Sequence, residues 1–237
     1  MDLKEAGLLG ADQGNHWYYA SKARALLHCL DRKDPERILD VGAGSGFFTR
    51  ILLRRTSAKS AICVDPGYAT EWSETESGKP IAFRRHSPVG DANLVLLLDV
   101  IEHVDDDVGL LRTYAASARP GTRFVVSVPA VSWMWSPHDE FLEHRRRYTM
   151  NQTLSALSAA GLEPITGFYF FAALLPPIAL VRLWRRRLSL ATSPASDLRQ
   201  HHPLTNRLLA AICRVESSWA RHNRAFGLTA FGVAEKR

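Results

Sequence analysis

From Asp40 to Gly46 the chain reads Asp-Val-Gly-Ala-Gly-Ser-Gly, directly after an apolar run. Glycine lets a backbone turn through left-handed conformations and approach a ligand with no β-carbon in the way, so such a loop can cradle a nucleotide or nucleoside on its peptide groups. The dinucleotide fingerprint needs a further glycine at position 47; Phe47 stands there, which disfavours a nicotinamide or flavin. Asp65 closes the next apolar run, 23 residues after Gly42, and is placed to accept hydrogen bonds from a ribose diol.

A second group can move protons. Asp99, Glu102 and His103 stand at i, i+3 and i+4, which puts all three on one side if a helical turn begins there. A histidine with a pKa of about 6.5 suits proton removal from a hydroxyl near neutral pH. His138 and His144 follow in the segment Ser136 to Thr149. Imidazole nitrogens and carboxylate oxygens also suit magnesium, manganese or zinc, but ligands spread over two loops do not fix a metal site, so none is assigned. Glu102, His103 and His144 are the catalytic candidates, and a loop merely held by hydrogen bonds from Glu102 and His103 is the structural alternative. Nearby, Trp133, Met134 and Trp135 offer an apolar wall, and Arg145, Arg146 and Arg147 offer either forked contacts to an anion or a solvated run of charge.

Positioning these groups takes strands that end where they stand. Alanine and leucine recur at helical spacing from Tyr19 to Leu30, and Asp34-Pro35 closes that helix. Arg37 to Val41 reads as a strand entering the glycine loop, and Phe47 to Arg55 as the amphipathic helix leaving it. Further strands are expected at Ser60 to Val64, Ile81 to Arg84, Leu94 to Leu98 and Arg123 to Val128, with a helix from about Asp106 to Ala118. Asn151 to Ala160 reads as helix, and Glu163 to Phe171 and Gly227 to Arg237 as strands. This alternation predicts an α/β fold with a mainly parallel sheet covered on both faces. Ligands should then sit at the carboxyl ends of the strands, where Gly42, Asp65, Asp99 and Pro129 fall.

With these motifs in this order, Ile38-Leu-Asp-Val-Gly-Ala-Gly-Ser-Gly46, Cys63-Val-Asp65, Leu96-Leu-Leu-Asp-Val-Ile-Glu-His-Val104 and Arg119-Pro-Gly121, the chain resembles the class I S-adenosylmethionine-dependent methyltransferases over roughly residues 36–130. Its Glu-His pair is similar to those of quinone-pathway methyltransferases and of small-RNA 2′-O-methyltransferases, and in the latter a related cluster holds a divalent metal. The resemblance implies a Rossmann-like, seven-stranded, mostly parallel sheet with an antiparallel last strand. It also implies S-adenosylmethionine as cofactor, with contacts from Asp40, Gly42, Ala43, Gly44, Ser45, Gly46, Asp65 and Asp99. The last strand should pair with Glu163 to Phe171, which makes residues 172–225 a helical cap inserted in a single domain, 1–237. Residues 1–34 would form a helical lid, in which His16-Trp17-Tyr18-Tyr19 either folds over the cofactor or anchors the packing. The acidic residue that contacts adenine in the family has no evident counterpart in Arg84-Arg-His-Ser-Pro88. The function implied is methyl transfer to a small, amphipathic or lipid-linked acceptor; RNA methylation and cofactor binding without catalysis are the alternatives.

Composition sets the limits. A chain of 237 residues with 46% apolar and 23% charged side chains can bury a core, and disordered or fibrous classes are excluded. Cys29, Cys63 and Cys213 are too scattered for a disulfide framework or a thiolate zinc site, and Met1 to Gly10 shows no secretory pattern, so a cytoplasmic setting is expected. No Gly-x-Ser-x-Gly, Walker or His-Glu-x-x-His motif occurs. Of the net charge of +6, residues 1–120 hold −2 and residues 121–237 hold +8. In the basic half, Leu180, Val181, Trp184 and Leu188 share one side of a helix and Arg182, Arg185 and Arg186 another; Leu204, Leu208, Ile212, Val215 and Trp219 form a second apolar stripe. Ala191 to Pro203 reads as a flexible connection between them. Such helices can meet an amphipathic substrate or the inner face of a membrane, and nucleic acid is disfavoured because no RNA-binding module is evident. The uncharged run Ile165 to Val181 is too short, and too broken by Pro176-Pro177, to span a bilayer.

Overall fold

The structure, a computed structural model, describes residues 14–30, 34–188, 196 and 201–237. The first part of the expected lid and most of the expected connection Ala191 to Pro203 lie outside the described residues, as do the side chains of Arg185 and Arg186. Among the described residues, eight strands form one sheet: β1 Arg37–Val41, β2 Ser60–Val64, β3 Trp72–Glu76, β4 Lys79–Arg84, β5 Leu94–Leu98, β6 Arg123–Pro129, β7 Leu162–Phe170 and β8 Thr229–Lys236. Their spatial order is β3-β4-β2-β1-β5-β6-β8-β7. The five strands from β4 to β6 in that order are mutually parallel, β8 runs antiparallel between β6 and β7, and β3 runs antiparallel to β4 at the far edge. The helices are α1 Trp17–Cys29, α2 Phe47–Arg55, α3 Asp107–Ser117, α4 Pro137–Phe141, α5 Met150–Ala159, α6 Leu175–Arg187 and α7 Pro203–Ser217.

The expected seven strands are eight. The added strand, β3, alternates as Trp-Ser-Glu-Thr-Glu and ends in Ser77-Gly78, with φ of 53° and 75°, the two-residue turn whose twist suits a hairpin. It is mostly exposed and polar, so it lacks the apolar run that marks the other strands. Trp72 anchors it by stacking on Phe83, with ring centroids 4.2 Å apart, and Arg50 and Arg54 of α2 pair with Glu74 and Glu76.

The central strands are apolar on both faces because both faces are covered; β5 is buried along its whole length. Alternate residues feed two cores. Leu94, Leu96 and Leu98 pack toward α1, α2 and α7 with Leu26, Phe48 and Cys213, while Val95 and Leu97 pack toward α3 and α5 with Leu111 and Leu157.

Strands β1 and β5 are neighbours, yet the chain leaves β1 toward β2 on one side and reaches β5 on the other. That reversal opens a crevice above their carboxyl ends. Non-glycine residues with left-handed backbone stand just past three strand ends there: Asp99 after β5, Val131 after β6 and Phe171 after β7, with φ of 54°, 67° and 60°. Each such conformation costs about 1–3 kcal/mol and persists where the surroundings over-determine it, as functional sites do.

Helix α6 starts earlier than its apolar pattern suggests. Pro176 and Pro177 fall in its first turn, where the missing N–H groups have no intrahelical partner to lose. Glu216 of α7, buried, accepts hydrogen bonds from the Ala172 and Ala173 amides at 2.7 and 3.1 Å, just ahead of α6. Asn206 of α7 accepts from the Trp17 amide at 2.8 Å, which ties α7 to α1. The aromatic group at the start of α1 packs inward: Tyr19 is buried and Tyr18 stacks on Phe171 at 5.3 Å.

Candidate active site

The glycine loop turns as its composition requires. Gly42, Gly44 and Gly46 have φ of 66°, 55° and 71°. A β-carbon on Gly42 would stand 2.5 Å from Val100 Cγ2, so this loop and the turn after β5 are in contact. Asp65 faces the loop, where its carboxylate accepts from the Gly44 amide at 3.1 Å and the Gly67 amide at 2.9 Å. Each oxygen has a second lone pair for a ligand. Asp40 lies buried beneath the loop and accepts from the Thr49 hydroxyl at 2.7 Å; burial pushes its carboxyl up to about 6, with the Thr49 bond acting against that. As placed, Asp40 braces the loop against α2.

The expected helical face of Asp99, Glu102 and His103 is built differently. Asp99 takes a left-handed backbone, and Ile101–His103 is a 3-10 turn rather than an α-helical start. Lys22 of α1, fully buried, forms an ion pair with Asp99, and the Ser127 hydroxyl donates to the same carboxylate at 3.2 Å. Burial would push the Asp99 carboxyl up; the Lys22 ammonium overrides it and holds the group below its ordinary value. Glu102 has no such partner. It is fully buried, and neither carboxylate oxygen accepts a hydrogen bond. Burial first, and then the Asp99 charge, push its carboxyl well above the ordinary value.

Sequence reading missed Lys22. Its signal was a lysine at the one polar position in the 3-4-3 stripe Tyr19, Lys22, Leu26, Cys29, where helical packing asks for an apolar side chain.

From beyond β6 the chain brings His144 back to this turn. Its ring centroid lies 4.8 Å from that of His103, and one ligand-capable atom from each of Glu102, His103 and His144 lies within 4.8 Å of the others. His144 Nδ1 is 2.9 Å from an oxygen of Asp139, an acceptor, so in the neutral ring Nδ1 carries the proton and Nε2 the lone pair. Asp139, fully buried, also takes a two-pronged bond from Arg147 at 2.7 and 2.9 Å and the Ser136 amide at 2.8 Å. The three arginines therefore neither converge on an anion nor run free. Consecutive side chains diverge, so Arg147 points inward to Asp139. Its neighbours hold the turn instead: the Arg145 amide donates to Glu102 O at 2.8 Å and the Arg146 guanidinium to Asp105 O at 2.9 Å. Of the expected apolar wall, Met134 is buried and Trp133 exposed.

Burial would raise the Asp139 carboxyl, but the His144 ring, Arg147 and the Ser136 amide together hold it far below its ordinary value. A depressed carboxyl stabilises the fold above its unfolded value of about 4, and that contribution is lost as pH falls toward the folded value. Asp139→Asn is accordingly expected to cost about 3 kcal/mol near pH 7, with the deficit shrinking below about pH 4. Urea denaturation of both proteins across that range checks it; a deficit independent of pH contradicts the assignment.

The sequence family described as a methyltransferase domain matches residues 15–187, which takes in α1, the glycine loop, Asp65, the Asp99–His103 turn and His144. The chain belongs to this family. It is a member of the class I S-adenosylmethionine-dependent methyltransferases, and S-adenosylmethionine is the cofactor of that family. The ubiquinone biosynthesis O-methyltransferase of Xanthomonas axonopodis pv. citri (strain 306) is 25% identical over 182 residues, covering 68% of this chain and 66% of the relative, just under two thirds of its length. Its counterpart from Xanthomonas euvesicatoria pv. vesicatoria (strain 85-10) is 24% identical over the same shares.

Solved structures agree on the fold. A chain of the complex containing the Haloferax volcanii Trm112 methyltransferase activator matches this chain with a TM-score of 0.55 at 16% identity, over 98% of this chain and 95% of that one. Human N-acetylserotonin methyltransferase, solved with its SAM, matches at 0.50 and 11% identity, over 98% of this chain and 58% of that one. The [4+2]-cyclase SpnF matches at 0.55 and 17% identity, over 92% and 82%. A cyclase among the neighbours shows that the fold alone does not dictate the chemistry. Among the described residues, no helix is long and apolar enough to cross a membrane.

Proposed function

We propose that the protein transfers the methyl group of S-adenosylmethionine to a hydroxyl of a small, amphipathic acceptor of the kind carried on a lipid tail. The observation that carries this reading is the contact of the glycine loop with Val100, which sets the cradle beside the Glu102, His103 and His144 cluster. The loop fits the cofactor: its left-handed glycines keep β-carbons away from a ligand at the carboxyl end of β1, and Asp65 has lone pairs left for the ribose hydroxyls. When bound, S-adenosylmethionine supplies a methyl group on a sulfonium, so the chain needs no covalent nucleophile. What its residues supply is alignment and proton removal. His144 Nε2, in the tautomer fixed by Asp139, takes the acceptor's hydroxyl proton, and Lys22 keeps Asp99 ionised at the crevice. In this reading α1 roofs the crevice, and α6 and α7 cap it within one domain. Relatives named as O-methyltransferases of ubiquinone biosynthesis support an oxygen acceptor.

Glu102 favours a second reading of the same cluster. Two buried carboxylate oxygens without a donor are costly, and a divalent cation held by Glu102, His103 and His144 would satisfy them. Asp139 then orients a ligating histidine, and the ion would supply a Lewis-acid contact for acceptor oxygens. The test is incubation with S-adenosylmethionine and a catechol or a polyprenylated phenol. Methyl ether and S-adenosylhomocysteine are expected; binding of S-adenosylhomocysteine with no turnover on either phenol overturns the hydroxyl-acceptor reading. Chelation separates the two readings, since a histidine base is indifferent to it and a metal centre recovers on adding back magnesium, manganese or zinc.

A further inference from the structure

Helices α6 and α7 turn apolar residues outward. Leu180, Leu183, Trp184 and Leu188 on and just after α6, and Leu204, Leu208, Val215 and Trp219 on and just after α7, are between 44% and 70% exposed. On α6 Leu180, Leu183 and Trp184 face water, while Arg182 is only partly exposed and donates to the Met134 carbonyl. On α7 the core is already served by Leu209, Ile212 and Cys213, so the exposed stripe is a second apolar face. A surface helix ordinarily pairs one apolar stripe with a polar outside. Apolar surface of this extent on two helices marks a contact with something else.

Charge selects the partner. Residues 172–226 carry nine arginines and no lysine against two acids, Asp197 and Glu216. Glu216 is buried and holds backbone amides, so on α7 no acid reaches the surface. Arg207 and Arg214 stand exposed along the Leu204 to Val215 stripe. A second copy of the chain would set arginine against arginine with no acid between them. RNA would answer the charge, and bases could stack on Trp184 and Trp219, but it would leave the exposed leucines and Val215 in water. An anionic bilayer meets every part of the surface: aliphatic side chains enter the boundary between headgroups and acyl chains, tryptophans sit at that level, and arginines extend to the phosphates.

We propose that α6 and α7 form a docking surface for an anionic lipid bilayer. The docking goes beyond methyl transfer and needs neither cofactor nor acceptor, so its test is independent of the reaction. The full chain, without cofactor, is sedimented with phosphatidylcholine vesicles containing about one-third phosphatidylglycerol. Saturable binding is expected, at least about tenfold weaker to pure phosphatidylcholine and weaker again at high salt. Leu180→Ser with Trp184→Ser, and separately Leu204→Ser with Leu208→Ser, should each lower vesicle affinity by about tenfold or more, with circular dichroism and S-adenosylhomocysteine affinity unchanged. The proposal is overturned by absent binding to anionic vesicles, by equal binding to neutral ones, or by variants of unchanged fold that bind as the parent does. A dimer in ultracentrifugation, or an RNA affinity, that the same substitutions abolish while vesicle binding persists would also overturn it.

Discussion

Where Glu102 holds a divalent cation with His103 and His144, Glu102→Gln is expected to lower kcat for methyl transfer by about 100-fold or more while changing the affinity for S-adenosylhomocysteine by less than about threefold. The substitution keeps the size of the side chain and removes its capacity to carry charge. That capacity is the only distinctive property of Glu102 in this setting, since neither oxygen receives a hydrogen bond and the group lies against His103 and His144. If Glu102 only props the turn, a glutamine of the same shape serves as well and turnover stays near the parent value. Single-turnover assays with labelled cofactor, paired with calorimetry, separate the two outcomes. The split matters: a fall in both kcat and cofactor affinity would mean that the turn after β5 has collapsed onto the glycine loop through Val100, rather than that a reacting group has been lost.

Gly42→Val should reduce cofactor binding by about 100-fold or more and destabilise the fold by about 3 kcal/mol. Two costs combine. A β-branched residue at φ 66° carries a left-handed penalty of about 1–2 kcal/mol, and its β-carbon would begin 2.5 Å from Val100 Cγ2, an overlap whose relief costs about 1–3 kcal/mol. The loop or the Asp99 turn must shift, and either shift deforms the glycine loop and moves it relative to Asp65. Gly90 supplies the control. Its φ is 61°, but a β-carbon there meets nothing within 4 Å, so Gly90→Ala should cost about 1 kcal/mol and leave binding intact. Thermal unfolding and S-adenosylhomocysteine titration of both variants check the pair; if Gly42→Val bound the ligand as the parent does, the cradle would lie elsewhere.

Both predictions depend on neighbours that only folding brings together, and they mark where sequence reasoning stops. Strands β1, β2 and β5 were legible to their ends because strands buried on both faces must be continuous apolar runs, and the turn after each is punctuated by glycine or aspartate. The glycine loop and Asp65 were legible for the same reason: their chemistry is written in adjacent residues and strand ends. Strand β3 was not, since an exposed edge strand has no need of an apolar run and was marked only by alternation and the Ser77-Gly78 turn. The amphipathic patterns of α6 and α7 were visible, but which side would face water was not; periodicity gives the stripe and never its direction.

What the sequence by itself determined is the order of strands and helices, the place of the nucleoside cradle, and the residue types available for proton transfer or a cation. Tertiary structure alone decided that Lys22 neutralises Asp99 from 77 residues away, that Arg147 serves Asp139 instead of a substrate, and that Glu102 is left buried without a partner beside two histidines. The physical reason is that backbone preference and hydrophobic period act over a few residues, whereas the ionisation of a buried group is set by whichever charges and dipoles pack within a few ångströms, however far apart they lie along the chain.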